Sequence, residues 1–372
     1  MKILQLVSCQ GWSSDAYWAA RVTHELDRRG HDATLGCREG TDARVIDRAR
    51  REGVKRTMTF RFSGGVDPRG DVRDVRQLVR ALADVDVVHV HRGKEHWLAA
   101  VANRLAPRPR PIVRTRHIVQ PVRPHAANRW LYRRATSLVV TVTDVIRRQY
   151  VASGLLRADA VVALPGGADA TSYRPRPVDE AMRRRLGGTP DTVLVGLVAG
   201  FRAMKGHAVV VDAAKRLVAS GAPVRFAFVG RGATEAAVRE RLDRTGLADR
   251  ITITGFVDDL PAVMSALDVG LYVPLESDGM SRVVFEYLAA GRPLVASRVG
   301  VVAEVLEHET HALLVPGGDV AALTGAIDRL AGDRALCARL GSAGRALIEA
   351  RYSGAQLAAH LERHYARLTG AA

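Results

Sequence analysis

A chain of 372 residues, 47% hydrophobic and 25% charged, is too long for one ordinary core and suits two domains of about 150–200 residues each. Its apolar runs fall far short of the roughly 20 residues a membrane span needs, and three scattered cysteines, Cys9, Cys37 and Cys337, exclude a disulfide framework and a cysteine-based zinc site. A formal net charge of +16 asks for an anionic counterpart: nucleic acid, an acidic lipid surface or a phosphorylated substrate.

The first residues read as a strand and not as the basic-then-apolar start of a signal peptide, so a cytoplasmic location is expected. From there short apolar runs alternate with longer periodic stretches, the pattern of a parallel sheet covered on both faces by helices. Strands are expected over 2–7, 33–36, 57–60, 85–90, 112–115, 138–142 and 161–164, with helices over 15–29, 71–83, 95–105 and 144–153. A break rich in Pro, Gly and Arg follows at 165–177, and then the pattern restarts. The second set of strands is expected over 193–199, 224–229, 251–254, 269–273, 294–296 and 313–315. Its helices are expected over 207–219, 234–245, 281–290, 320–331 and 334–350. A separate amphipathic helix over 353–368 closes the chain. The expected division is a first domain over 1–170, a second over 171–352, and a terminal helix over 353–372 returning to the first.

Positive charge is concentrated in the first half. Residues 1–175 hold 31 basic and 17 acidic side chains, residues 176–372 hold 24 and 22, and 104–148 carry eleven arginines against the single acid Asp144. A genome that favours arginine over lysine is the plain alternative, and it explains the residue type better than the asymmetry. Pro107, Pro109, Pro121 and Pro124 should interrupt helices and expose loops over 104–134, which makes Arg116, Arg123, Arg129, Arg133 and Arg134 candidate contacts for an anionic acceptor or membrane.

Candidate chemistry gathers at strand ends. The stretch 274–293 leaves a strand, passes Asp278, Gly279 and Met280, and enters a helix for which Ser281 is a suitable N-cap. Loop amides and the helix dipole would form an anion site there, and Asp278 and Glu286 would accept hydrogen bonds from sugar hydroxyls. Equally open is a buried crossover helix with Val284, Phe285 and Leu288 in the core and Glu286 on a solvated face. Arg202 and Lys205 follow the first strand of the second domain. Cations are needed where a sugar–diphosphate bond breaks, although an ordinary exposed turn also fits. His117 closes a strand; a lone histidine is more often structural, but the carboxyl end of a parallel strand argues for function. His89 and His91 alternate along one strand like a metal pair, yet no third ligand is in frame, so no metal is expected. Arg92, Lys94 and His96 follow them and would meet an anionic acceptor.

Asp278 and Glu286, followed by Ala289-x-Gly-x-Pro-x-Val-Ala-Ser297, resemble the Glu-x7-Glu signature of retaining glycosyltransferases of family 4, which have the GT-B fold. The first acid is Asp here, with Glu276 out of register, and the family's Gly-Phe-Gly reads Gly279-Met280-Ser281. Gly200-Phe-Arg-Ala-Met-Lys-Gly206 resembles the family's Gly-x-Arg…Lys-Gly element. Phe228-Val-Gly-Arg-Gly232, Gly255-Phe-Val-Asp-Asp-Leu-Pro261, Val315-Pro-Gly-Gly-Asp319 and Leu164-Pro-Gly-Gly-Ala-Asp169 agree with it.

The resemblance implies an α/β GT-B architecture: two Rossmann-like, doubly wound domains facing across a cleft, with the last helix packing back on the first. It implies that the second domain binds the donor and the first the acceptor. Arg202 and Lys205 would hold the donor diphosphate, Glu286 the ribose, and Asp278 the sugar. Amides of Gly279, Met280 and Ser281 would meet sugar and phosphate, with Gly230 in the strand-end turn and Phe256 and Val257 at the base. Gly11 would lie near the donor phosphates and acceptor, and His117 would contact the reacting sugar.

The activity implied is metal-independent, retaining transfer from a UDP- or GDP-sugar without a cofactor, by a front-face route in which the departing diphosphate takes the acceptor proton. The acceptor expected is a lipid-linked or anionic glycan of the cell envelope, as in lipopolysaccharide or polysaccharide synthesis, met by a monomer or homodimer peripheral to the inner face of the plasma membrane. A GT-B phosphorylase and a nucleotide-sugar epimerase stay open within enzymes. A basic nucleic-acid-binding protein is the alternative from another class. It is disfavoured because aromatic residues make up only 5% of the chain and stacking residues are not interleaved with the arginines.

Overall fold

The computed structural model describes residues 1–277 and 279–371. In the first half the elements run β1 (Lys2–Val7), α1 (Ser14–Arg28), β2 (Asp32–Arg38), α2 (Asp47–Arg51), β3 (Thr57–Phe60), α3 (Pro68–Leu82) and β4 (Val87–Val90). They continue with α4 (Gly93–Leu105), β5 (Ile112–Arg116), α5 (Ala126–Trp130), β6 (Leu138–Thr141), α6 (Asp144–Ala152) and β7 (Val161–Ala163). All seven strands form one parallel sheet in the order β3-β2-β1-β4-β5-β6-β7.

The second half runs α7 (Glu180–Arg185), β8 (Val193–Val198), α8 (His207–Ala219), β9 (Val224–Val229), α9 (Glu235–Thr245), β10 (Ile251–Gly255), α10 (Leu260–Ala266) and β11 (Val269–Tyr272). After these come α11 (Arg282–Ala289), β12 (Leu294–Ser297), α12 (Val301–Val305), β13 (Leu313–Val315), α13 (Val320–Gly332), α14 (Arg334–Leu347) and α15 (Gly354–Thr369). Its six strands are also parallel, in the order β10-β9-β8-β11-β12-β13.

Each expected strand is present, within a few residues at its ends. Apolar runs such as Val87–Val90 are buried along their whole length, as a sheet covered on both faces requires. Both sheets reverse their winding beside the first strand, between β1 and β4 and between β8 and β11, so the loops there diverge and leave room for a ligand at the carboxyl ends. The short helices α2, α5, α7, α10 and α12 were not among the expected helices. Several are set by a local cap: Asp179 accepts from the Met182 amide at 2.8 Å and Asp259 from the Ala262 amide at 2.9 Å. Within 104–134 the four prolines do stand in loops, 106–111 and 117–125, that are largely exposed, but the loops do not continue to 134. After Pro124 the chain forms α5 and then a wider helical turn, Leu131–Ala135, which buries Leu131 and Tyr132.

By contacts the chain divides into two compact units, Ala168–Ser353 and Met1–Gly167 together with α15. Leu357, Leu361 and Tyr365 of α15 are buried, and Glu362 bonds Arg29 and His31, both at 2.8 Å, just beyond the end of α1. Leu361→Ala should therefore cost roughly 2–5 kcal/mol. The expected result is a lower urea midpoint for the full chain; an unchanged midpoint would show that α15 does not stabilise the first unit.

Candidate active site

In the second unit the loops that follow β8, β9, β10 and β11 are joined by their backbones. The chain leaves β8, places Arg202 on the surface, turns through Ala203–Lys205 and reaches Gly206 in a left-handed conformation at φ 79° before entering α8. A Cβ on Gly206 would collide with the carbonyl of Val273, just past β11. One on Gly230 would collide with the carbonyl of Ala199. Hydrogen bonds close the tier: the Phe201 amide donates to Arg231 at 3.0 Å, the Gly230 amide to Gly255 at 2.9 Å, and the Leu275 amide to Met204 at 2.8 Å.

This tier brings most of the expected donor-site residues to the same sheet end. Arg202 is exposed and Lys205 half-buried; Phe256 is exposed and Val257 buried. Gly279 has φ 95°, and Met280 and Ser281 are buried. Asp278 lies outside the described residues. Arg231, which sequence reasoning quoted in a motif without assigning it, lies over Gly255: a Cβ there would stand 3.5 Å from its Nε.

Two expectations on this segment are corrected. Glu286 is not on a solvated face: it is 1% exposed, with Arg282 Nε 2.9 Å from its Oε1. A carboxylate at that depth needs such a partner. Ser281 stands at the start of α11 but makes no capping bond with its side chain, because its hydroxyl pairs with that of Tyr272. Val284, Phe285 and Leu288 are core residues as expected. The residue missed is Tyr287. Its hydroxyl donates to the Gly196 carbonyl at 2.9 Å and accepts from the Val198 amide at 3.0 Å, so α11 is pinned to β8 beside the Arg202 loop.

In the first unit His117 follows β5 and is buried against His91 and Trp18. Burial pushes its imidazole down to about 4; Asp15 opposes the shift, while Arg114, Arg92 and Arg116 add to it. His89 and His91 are no metal pair. They stack at 4.7 Å and spend their nitrogens on hydrogen bonds to Tyr365, Thr115, Gln5 and His117. Among the described residues no group of three or more His, Cys, Asp or Glu is placed to hold a metal.

Arg92 pairs with Asp15 at 3.1 Å and Lys94 with Asp71 at 2.5 Å, so the charges of both have internal partners. His96 is buried against Tyr132 with its Nε2 on Thr136, out of reach of a ligand at the surface. Arg116 bonds the Gln120 carbonyl at 2.6 Å, and Arg133 bonds the carbonyl of Leu155 at 3.1 Å. Arg123, Arg129 and Arg134 are exposed. Gly11 sits in the β1–α1 loop with open space around it, so packing does not require a glycine there.

Comparison with known proteins fits this geometry. Residues 16–172 match the model for Glycosyltransferase Family 4, and 192–333 match that for Glycosyl transferases group 1. A phosphatidyl-myo-inositol mannosyltransferase of Mycobacterium leprae is 30% identical over 298 residues, which is 76% of this chain and 73% of the relative. The chain belongs to glycosyltransferase family 4. A 2-deoxystreptamine N-acetyl-D-glucosaminyltransferase of Streptomyces fradiae is 36% identical over 56% of this chain. The family 4 chain spans only about half of that relative's length, 49%. The crystal structure of Anabaena HepE with UDP and glucose superposes with a TM-score of 0.81 at 20% identity, covering 99% of this chain and 100% of that one. Two parallel sheets with their helices, in that likeness, are the α/β GT-B fold.

The neutral imidazoles make stability depend on pH. His117 and His207, the latter stacked at 4.2 Å on Phe201, both titrate at about 4 when folded against 6.5 when free. Between these values the unfolded chain binds more protons. Stability is whole above pH 6.5 and falls as pH drops toward 4, by up to roughly 3 kcal/mol per histidine. Urea unfolding should show a lower midpoint at pH 5 than at pH 7, and His117→Asn should flatten part of that slope. Equal midpoints would contradict it.

Proposed function

We propose that the chain is a retaining glycosyltransferase that moves a sugar from a UDP- or GDP-sugar to an acceptor of the cell envelope. The observation that carries this reading is the loop tier of the second unit, where backbone amides, Arg202, Lys205 and the buried carboxylate of Glu286 share one sheet end. As the bond between the anomeric carbon and the diphosphate breaks, negative charge builds on the leaving oxygen; Arg202 and Lys205 stabilise it, in the place a divalent metal takes elsewhere. Glu286 accepts from the ribose hydroxyls, Asp278 from the sugar, and the backbone at Phe256 and Val257 reads the base. Amides from Gly279 to Ser281, beside Gly230, meet sugar and phosphate. His117 and Gly11 serve the reacting sugar from the first unit. The departing diphosphate takes the acceptor proton while the acceptor oxygen bonds to the same face of the sugar, so no carboxylate base is required. Relatives support the donor class: one is named a GDP-mannose-dependent mannosyltransferase, and HepE was solved with UDP and glucose.

The acceptor reading rests on charge and on an apolar stripe. Trp97, Val101 and Leu105 stand on successive turns of α4, Val101 and Leu105 are exposed, and Trp97 stacks at 5.9 Å on the exposed Trp130 of α5. These tryptophans are aromatic neighbours of the arginines that sequence reasoning passed over. Arg104, Arg108, Arg123, Arg129 and Arg134 are exposed, and no ion pair joins any of them among the described residues. An apolar stripe fringed by arginine suits the interface of an anionic bilayer. Each basic side chain contributes about 1 kcal/mol within a Debye length of about 10 Å. No described helix is long and apolar enough to cross a membrane. The proposal is therefore peripheral attachment at the cytoplasmic leaflet and a lipid-linked or anionic acceptor.

A panel of UDP-glucose, UDP-N-acetylglucosamine and GDP-mannose, scored for thermal stabilisation and slow donor hydrolysis, tests the donor reading. Lys205→Ala should lower turnover on the order of 100-fold, and Glu286→Ala should weaken nucleotide binding by calorimetry without unfolding the chain. A fully active Lys205→Ala, or strict dependence on added metal, would remove the clamp.

Vesicle co-sedimentation tests the surface. Binding should require anionic lipid, weaken at high salt, and be lost when Arg123, Arg129 and Arg134 are changed to Glu. Binding indifferent to lipid charge would leave a soluble acceptor.

A further inference from the structure

The first unit holds a chain of buried polar side chains that the reaction proposed above does not use. Gln5 of β1, His89 and His91 of β4 and Thr115 of β5 are fully or almost fully buried, as is Tyr365 of α15. Gln5 Nε2 donates to the Tyr365 hydroxyl at 3.3 Å, and Gln5 Oε1 lies 2.8 Å from His91 Nε2. His91 Nδ1 is 3.1 Å from His117 Nε2. His89 spans the Tyr365 hydroxyl at 2.5 Å and the Thr115 hydroxyl at 2.6 Å.

The chemistry of these groups sets the direction of the bonds that run from Gln5 through His91 to His117. An amide oxygen only accepts, so His91 carries its proton on Nε2. Burial keeps His91 neutral, its pKa held well below the usual value, so its Nδ1 is bare and must accept. The donor is then the Nε2–H of His117. His117 is neutral as well, which leaves its Nδ1 with an unprotonated lone pair. That atom is buried and has no hydrogen-bond partner among the described residues. Of the six ring nitrogens of His89, His91 and His117, it is the one so left. A buried acceptor without a donor is unfavourable until one arrives. The charged groups acting on this ring are Asp15 of α1, Arg92 after β4, and Arg114 and Arg116 of β5. Trp18 of α1 sets its edge against all three imidazoles at 5.2–5.6 Å and closes the remaining side.

We propose that Gln5 and Tyr365 are positioning residues that hold His117 in its Nε2–H tautomer, with bare Nδ1 as the acceptor that a substrate hydroxyl meets. The hydroxyl's identity as a sugar rests on the function proposed above; the tautomer does not. Gln5 cannot pass a proton along, so the chain orients and does not relay. Because Tyr365 belongs to α15, docking of the last helix sets the hydrogen-bonding polarity of a site residue at the end of β5.

Histidine-selective nitrogen-15 NMR of the full chain, without substrate, tests this. His117 is expected to show a protonated Nε2 and a bare Nδ1. Tyr365→Phe keeps the ring and frees the Gln5 amide to turn over, and Gln5→Met removes the bond to His91. In both, the His117 signals should move toward a mixture of tautomers while circular dichroism stays unchanged. A protonated Nδ1 in the unaltered protein, or parental His117 signals in both variants, would overturn the proposal; the first readout needs no variant to fold. With whichever donor of the panel is turned over, both variants should lower kcat by on the order of tenfold with donor KM unchanged; parental kcat would remove the positioning role. If none of the three donors is turned over, the functional reading fails, and the tautomer assignment still decides this one.

Discussion

The donor-side architecture depends on how closely four loop backbones approach at the ends of their strands. At Gly206 and Gly230 the approach leaves no room for a Cβ, so the loop after β8 is held between those after β9 and β11. Backbone hydrogen bonds, and not long side chains, hold these loops together. Amides ordered in this way are paid for during folding and owe little further entropy when a ligand arrives. Tyr287 adds a second restraint from the helix side. Its ring fills the space left by Gly270, and its hydroxyl holds the β8 backbone. Glu286, the preceding residue, is carried into the same rigid frame.

The sheets were legible in the sequence because strands buried on both faces are continuous apolar runs of four to six residues with polar or Gly-rich ends. Short helices were not. Five to seven residues make fewer than two turns, too few for a 3.6-residue period to show, and a capping aspartate such as Asp179 or Asp259 is their main trace. The shared placement of the residues expected to bind the donor was legible, since motifs after strands must fall at one sheet end in a parallel sheet. What failed was what depends on contacts distant in sequence. A solvated face stayed open for Glu286 because a period cannot reveal a helix buried nearly all round, yet Val284 through Ala289 are all buried. Ser281 read as a cap because the hydroxyl of Tyr272 competes for it. His89 and His91 looked like a metal pair, although no metal was expected, because their partner Tyr365 lies 276 positions from the former.

The positive half of the chain is less uniform than its count suggests. Arg21 is buried with Glu25 and Glu52 around it, Arg56 meets Asp27 and Asp32, and Arg92 and Lys94 have Asp15 and Asp71. Arg114 is buried within β5 and lies in the field of Glu95, which is buried too. Arg104, Arg108, Arg123, Arg129 and Arg134 have no such partners among the described residues. A field drawn from a few unpaired surface cations is local and strongly screened by salt, and it is this residue, together with the apolar stripe of α4, that distinguishes a surface from a mere excess of arginine.

The buried groups at the end of β5 and in α11 differ in kind, and the difference has consequences for what each can do. In the first, burial strips the imidazoles of charge, and a hydrogen-bond chain settles where each proton sits. A neutral ring with one lone pair left over discriminates by donor geometry, because a ligand lacking a hydroxyl leaves that acceptor unpaired at full cost. In the second, the buried group is a carboxylate, held beside Arg282. Removing Arg282 would strand the Glu286 carboxylate in low dielectric, which is far costlier than losing one neutral hydrogen bond, whereas Arg282 is exposed enough to be solvated without Glu286. Proton position is thus the means available at His117 and fixed charge the means at Glu286, while both units lose stability as the pH falls toward the imidazole range, because His207 of the second is buried and neutral as well.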